Sequence, residues 1–181
     1  MENKEIEVRF LNIDKSALVD KLIAIGAQDK NEILLSETIF YDPDLSWLEE
    51  RRFVRIRKSG ETIKFTYKEN KDQTIDSAFE IEFEISDKKE AEKFLEKVGV
   101  VAYREQEKKR HSFCVENFNI DIDTWPNIPP YVEIEGPSEE ALREFSKALG
   151  FDWNDAVFED AKFILENHYN VPLKEKRIFK F

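Results

Sequence analysis

Phe53-Val54-Arg55-Ile56-Arg57-Lys58-Ser59-Gly60-Glu61-Thr62-Ile63-Lys64-Phe65-Thr66-Tyr67-Lys68-Glu69 reads as a strand, a tight turn and a second strand. Strand side chains alternate faces, so residues two apart share one. Val54 and Ile56 therefore oppose Arg55 and Arg57, while Ile63, Phe65 and Tyr67 oppose Lys64, Thr66 and Lys68. Ser59-Gly60-Glu61 has the composition of a hairpin connection. The stretch thus predicts a sheet with one apolar face and one cationic face.

The same period of two recurs on both sides. It predicts strands over Glu5–Leu11, Ile33–Asp42, Phe53–Lys58, Thr62–Glu69, Phe79–Ser86, Val101–Val115, Asn119–Trp125 and Pro130–Glu135, with Glu116-Asn117-Phe118 as a second hairpin connection. Four helices interrupt them. The first runs from about Lys15 to Ile25 after the cap Asp14 and stops at Gly26; the second follows Asp87, with Glu90 placed for a capping box, and ends at Gly99. The third follows Ser138 and ends at Gly150, and the fourth spans roughly Asp155 to His168. Each has an apolar stripe at helical spacing. Strand, helix and charged strands occur in that order twice, which reads as two similar halves about one cavity.

The charges are sorted by sign. Glu5, Glu7 and Arg9 share a face, as do Glu80, Glu82 and Glu84, Lys108 and Arg110, Asp121 and Asp123, and Glu133 and Glu135. A sheet with one wet face also alternates, but such a face usually mixes its polar residues. Like charges side by side repel, so neighbouring strands of opposite sign, or bound ions, must compensate. The apolar helix stripes need the apolar sheet face as partner, which leaves the charged face concave or enclosed. The expected fold is α+β: residues 1–181 as one domain, a closed eight-stranded antiparallel β-barrel with helices packed outside. Clustered carboxylates suit Mg²⁺ or Mn²⁺, and clustered Arg and Lys suit phosphate oxygens. A metal-chelated polyphosphate needs both.

The ordered set resembles the CYTH superfamily, also called triphosphate tunnel metalloenzymes. Glu5-x-Glu7-x-Arg9 looks like the family's ExExK opening, with Arg9 where the family usually has Lys. Arg55-Ile56-Arg57 resembles its Arg-x-Arg strand, Phe65-Thr66-Tyr67-Lys68 its Leu-Thr-x-Lys strand, and Glu80-Ile81-Glu82-Phe83-Glu84 its acidic strand. Glu107-Lys108-Lys109-Arg110, Asp121-Ile122-Asp123 and Tyr131-Val132-Glu133-Ile134-Glu135-Gly136 resemble its later strands. The resemblance implies metal binding by Glu5 and Glu7, with Asp121, Asp123, Glu133 and Glu135 on the acidic side and Glu82 and Glu84 binding metal or pairing with the cations. It implies phosphate binding by Arg9, Arg55, Arg57, Lys64, Lys68, Lys108 and Arg110, and catalysis through Glu5, Glu7 and Arg9. The activity it implies is divalent-metal-dependent hydrolysis of inorganic or nucleoside triphosphate. The alternatives are a class IV adenylyl cyclase making cyclic AMP and pyrophosphate from ATP, or a noncatalytic polyphosphate- or nucleotide-binding module, to which Arg9 lends support.

Composition narrows the remaining classes. The net charge of −11 disfavours nucleic acid and anionic membranes as partners. Met1-Glu2-Asn3-Lys4 has no signal-peptide character and no run approaches a membrane span, so the expected location is the cytoplasm. The single cysteine, Cys114, reads as a buried core residue. His111 falls on the face opposite Lys108 and Arg110, His168 lies near a helix end, and Trp47, Trp125 and Trp153 read as packing or loop residues. The tail Lys174–Phe181 reads either as a cover for the barrel or as a homodimer contact.

Overall fold

The computed structural model describes residues 6–70 and 78–181. In chain order these form β1 (Ile6–Phe10), α1 (Lys15–Ala24), β2 (Gln28–Tyr41), a one-turn α2 (Ser46–Glu49), β3 (Arg52–Ser59), β4 (Thr62–Asn70), β5 (Ala78–Glu84), α3 (Lys88–Lys97) and β6 (Val101–Val115). There follow β7 (Phe118–Thr124), β8 (Tyr131–Gly136), α4 (Glu139–Ala148), a 3-10 turn (Trp153–Asp155), α5 (Ala161–Phe163), a π turn (Ile164–His168) and β9 (Ile178–Phe179). The α+β class stands, and the eight expected strands form within a few residues of their expected bounds.

Hydrogen bonding joins the strands in the order β1-β8-β7-β6-β2-β3-β4-β5, with β9 added to β6. This order has two ends. Among the described residues β1 and β5 do not pair, so the closed eight-stranded barrel is corrected to an open sheet. The reason at β1 is local. Its outer edge is taken by the 157 segment: Arg9 N donates to Val157 O at 2.8 Å, and Val157 N donates to Arg9 O at 2.9 Å. A backbone edge bonded in this way has no groups left there for another strand.

The same bridge corrects the fourth helix. Drawn out to reach β1, Ala156 is extended, and helix begins only at Ala161, where the Asp160 carboxylate accepts from Phe163 N at 2.8 Å. The other caps form as read. Asp14 accepts from Ala17 N, Ser138 from Ala141 N, and Asp87 from Lys89 N and Glu90 N. Glu90 itself pairs with Lys93 at 2.7 Å. The tail adds β9 in parallel to β6 at Glu105 and Gln106.

The chain divides into two compact units, one ending at Ile33 and resuming over Lys109–Ile164, the other Leu34–Lys108 with Leu165–Phe181. In the first, the apolar faces of β1, β7 and β8 (Val8, Phe10, Ile120, Ile122, Val132, Ile134) pack with Leu18 and Leu22 of α1 and Leu142 of α4. Gly136 ends β8 where α4 and β7 crowd together: a Cβ there would meet the Phe118 ring at 2.8 Å. In the second, Phe40, Val54 and Ile56 pack with Leu95 of α3 and with Val100. In each unit, then, helices cover part of the apolar strand face, though Phe79, Ile81 and Phe83 of β5 stay about half exposed, and the charged residues take the opposite face.

No helix among the described residues is long and apolar enough to cross a membrane. Leu142→Ala removes a fully buried side chain and is expected to lower the unfolding free energy by about 2–5 kcal/mol. Asp87→Ala removes only a cap and should cost about 1 kcal/mol. Chemical denaturation followed by circular dichroism measures both.

Candidate functional site

In the first unit the strand registers lay the charged residues out as a grid. Glu7 faces Glu135, Arg9 faces Glu133, Asp121 faces Glu133, and Asp123 faces Tyr131 and Arg110. Two guanidinium groups, buried Arg9 and part-buried Arg110, organise it. Arg9 Nε donates to Glu133 Oε2 at 2.8 Å, Nη2 to Glu7 Oε1 at 2.5 Å, and Nη1 to the Glu159 carbonyl at 3.0 Å. Arg110 forks onto Asp123, Nε to Oδ1 and Nη2 to Oδ2, each at 2.7 Å, while its Nη1 donates to Asp121 Oδ2. Such two-pronged pairing fixes orientation as well as charge. Burial opposes the charge on both arginines, but Glu133 and Glu7 outweigh it at Arg9, and Asp123, Glu133 and Asp121 at Arg110, so both pKa values rise.

Tyr131 sits fully buried in the same grid. Its hydroxyl accepts from Trp125 Nε1 at 3.1 Å and donates to Asp123 Oδ2 at 3.4 Å. Burial, and then the nearby Asp123 and Glu133 charges, push its pKa up, so it stays a neutral donor. Ser112 donates to Asp121, and Asn119 Nδ2 donates to Glu135 Oε2 at 3.2 Å.

In the second unit the registers are Glu37–Arg57–Lys64–Glu84, Ile39–Arg55–Thr66–Glu82 and Phe53–Lys68–Glu80. Glu37, buried on β2, is its centre. It accepts from Arg57 Nε at 2.6 Å and from Gln106 Nε2 at 2.6 Å, and Arg55 Nη1 lies 3.9 Å away. Burial alone would raise its pKa; Arg57, Arg55 and Lys108 outweigh that and hold it far below the usual carboxylate range. Thr66 Oγ1 donates to Glu82 Oε2 at 3.0 Å, Lys64 pairs with Glu82 at 2.6 Å, and Lys68 with Glu80 at 3.2 Å.

Arg55 is held differently from Arg9 and Arg110. Its side chain is 15% exposed, yet its carboxylate neighbours, Glu82, Glu80 and Glu37, stand 3.8, 3.9 and 3.9 Å away. Its Nε is buried without a hydrogen-bond partner among the described residues. Burial, and then the like charge of Arg57, lower its pKa despite Glu37, Glu80 and Glu82. A buried donor left unsatisfied costs its desolvation, and an oxyanion would recover that cost.

The residues predicted from sequence fall as follows. Glu5 lies outside the described residues. Glu7, Arg9, Arg110, Asp121, Asp123, Glu133 and Glu135 share the grid of the first unit; Arg55, Arg57, Lys64, Lys68, Glu82 and Glu84 share that of the second, where Lys108 approaches Glu37. Glu82 and Glu84 thus sit beside cations. Glu37, Tyr131, Arg104 and Gln106 were not anticipated. Leu35, Ile39 and Tyr41 share the parity of Glu37, so nothing but its lone charge marked it. Cys114 is corrected: it is only partly buried, its Sγ 3.5 Å from Gln28 Oε1, because position 114 has the parity of Arg110 and Ser112. His111 lies on the other face, as expected, with Nε2 2.7 Å from Asp29 Oδ1.

A family model described as the CYTH domain matches residues 3–154. No curated protein sequence matches the chain. Among solved structures, a candidate adenylate cyclase from Vibrio parahaemolyticus is 16% identical at a TM-score of 0.78, over 92% of this chain and 99% of its own. The PH1012 protein of Pyrococcus horikoshii is 20% identical at 0.72, over 86% and 96%. A candidate adenylyl cyclase from Hippeastrum, described as having a dominant triphosphatase activity, is 16% identical at 0.66, over 94% and 99%. At such identities the likeness establishes the fold, not the chemistry. The family model, by contrast, spans most of the chain and takes in nearly all the ordered charged strands, and on that ground the chain belongs to the CYTH family.

Proposed function

We propose that residues 1–181 act as one triphosphate-binding domain that hydrolyses inorganic or nucleoside triphosphate. The observation that carries this reading is Arg55: a largely enclosed guanidinium whose Nε has no hydrogen-bond partner among the described residues, whose Nη2 reaches Thr66 Oγ1 only at 3.5 Å, and whose contacts to carboxylates are long. Arg57, Lys64, Lys68 and Lys108 stand around it or share its carboxylates. This group suits phosphate oxygens: Arg through its planar fork, Lys as a point charge. The triphosphatase activity described for the Hippeastrum relative agrees with the reading.

The family implies a divalent cation, and the donor chemistry of the first unit fits one. Glu7, Asp121, Asp123, Glu133 and Glu135 offer only carboxylate oxygen, which hard Mg²⁺ or Mn²⁺ prefers. Arg9 and Arg110 hold Glu7, Asp121, Asp123 and Glu133, and among the described residues no three acidic, His or Cys side chains gather at one point. Glu135, whose carboxylate accepts from the Asn119 amide, and Glu7, the more exposed partner of Arg9, are the donors we assign to the cation. A cation held there would supply Lewis acidity to an oxygen bound to it. The chain's own part is to grip and orient the phosphates, keep Arg9 and Arg110 charged, and stabilise charge as it builds. Water adds to the terminal phosphorus, the bridging P–O bond breaks, and orthophosphate and a diphosphate leave.

Three results are expected. Purified protein given tripolyphosphate, and separately ATP, with Mg²⁺ or Mn²⁺ should release orthophosphate; cyclic AMP with pyrophosphate would replace the hydrolase reading by the cyclase. Arg55→Met should weaken tripolyphosphate binding by roughly 10- to 100-fold, since charged hydrogen bonds are lost, while calorimetric melting shows little change. Glu7→Ala should lower the metal-supported rate by at least about 100-fold; an undiminished rate in phosphate-release assays would sink the metal assignment.

A further inference from the structure

The C-terminal segment lies beyond the residues that match the family model, which ends at residue 154. It is nonetheless tied into the second unit. Glu105 N donates to Arg177 O at 2.9 Å, the Tyr103 hydroxyl donates to Lys174 O, and β9 pairs with β6. The Arg177 guanidinium stacks 3.8 Å over the Tyr103 ring, and Lys180 pairs with Glu105. The Leu173 carbonyl then accepts from Arg104 Nη1 at 3.0 Å.

From Leu173 a line of buried hydrogen bonds leads into the basic group, with Tyr41 as a side contact of Arg104. Arg104 Nε donates to Gln106 Oε1 at 2.8 Å, Gln106 Nε2 donates to Glu37 Oε2 at 2.6 Å, and Arg57 Nε donates to Glu37 Oε1 at 2.6 Å. Arg104, Gln106 and Glu37 are 5%, 7% and 4% exposed. The chemistry gives the line one direction. Arg is donor-only and an ionised Glu acceptor-only, so the group joining them must carry an acceptor at one end and a donor at the other. A primary amide does so, and its two neighbours fix which end points where. Each link also removes a buried polar group from the unsatisfied state, so breaking one exposes the next to that cost.

We infer that Arg104, Gln106 and Glu37 are positioning residues through which the C-terminal segment sets the orientation of Arg57, and so the grip of the second unit on phosphate. The phosphate part rests on the proposed function. Glu37 accepts from both Gln106 and Arg57, so a shift of the amide reaches that cation directly.

Two measurements on the full chain test this. Solution NMR of the Arg57 Nε–H resonance reports its hydrogen bond to Glu37 without any ligand. Calorimetry with tripolyphosphate reports the grip. Gln106→Leu keeps the approximate volume and breaks both amide bonds; Arg104→Lys keeps the charge but has no fork to reach Leu173 and Gln106 together. Both are expected to shift the Arg57 signal and speed its hydrogen exchange. Both should weaken tripolyphosphate binding about tenfold, the scale of one such bond, with KM raised and kcat within about twofold. The double variant should be little worse than either alone, as expected of groups in one network. An Arg57 signal and an affinity unmoved by Gln106→Leu in folded protein would overturn the inference, as would additive effects. If the unsubstituted protein binds no tripolyphosphate, the proposed function and the phosphate role fall, while the Arg57 signal still decides whether the segment orients Arg57.

Discussion

Burying a charge beside a sheet is tolerable only when an opposite charge or a dipole meets it, because the loss of hydration far exceeds what packing returns. Guanidinium–carboxylate pairing on the polar strand face is therefore the constraint on which the rest of this molecule depends. Arg9, with Glu7 and Glu133, and Arg110, with Asp123 and Asp121, fix which strands stand side by side in the first unit. A slip of one residue in β8 would turn Glu133 into the apolar core and Val132 or Ile134 into the charged grid. Core and site thus enforce the same register.

The two units resolve the constraint in different ways. In the first, carboxylates surround each arginine and satisfy it at short range. In the second, one buried carboxylate, Glu37, is shared among Arg57, Arg55 and Lys108, and Arg55 remains under-bonded. A chain of net charge −11 thus keeps a local group of cations, one of which, Arg55, has a buried donor unmet among the described residues. Net charge governs long-range encounters; local geometry governs what a small anion meets on arrival. The neutral Tyr131 and Thr66 extend the hydrogen bonding without adding charge.

Much of this was legible in the chain because a strand has a period of two. Arg55 with Arg57, Lys64 with Lys68, Asp121 with Asp123 and Glu133 with Glu135 share their expected faces for that reason alone. Helix caps were legible because Asp14, Asp87 and Ser138 act within three residues of themselves. Long-range partners were not. That Val157 occupies the edge of β1, and so ends the sheet there, joins residues 148 positions apart through backbone groups any sequence carries. Glu37 stands among Leu35, Ile39 and Tyr41 in its strand, and its partners Arg57 and Gln106 come from other strands.

The sequence by itself determined the strands and helices, the sorting of charges by face and sign, and membership of the CYTH family, since each depends on local periodicity or on the order of residue types. The tertiary structure decided which guanidinium is saturated and which is left wanting, which segment takes the edge of β1, and how the C-terminal segment reaches Arg57 through Arg104, Gln106 and Glu37. Those are matters of distance between groups far apart along the chain, and hydrogen bonds and ion pairs act only over a few ångströms of space, whatever the separation in sequence.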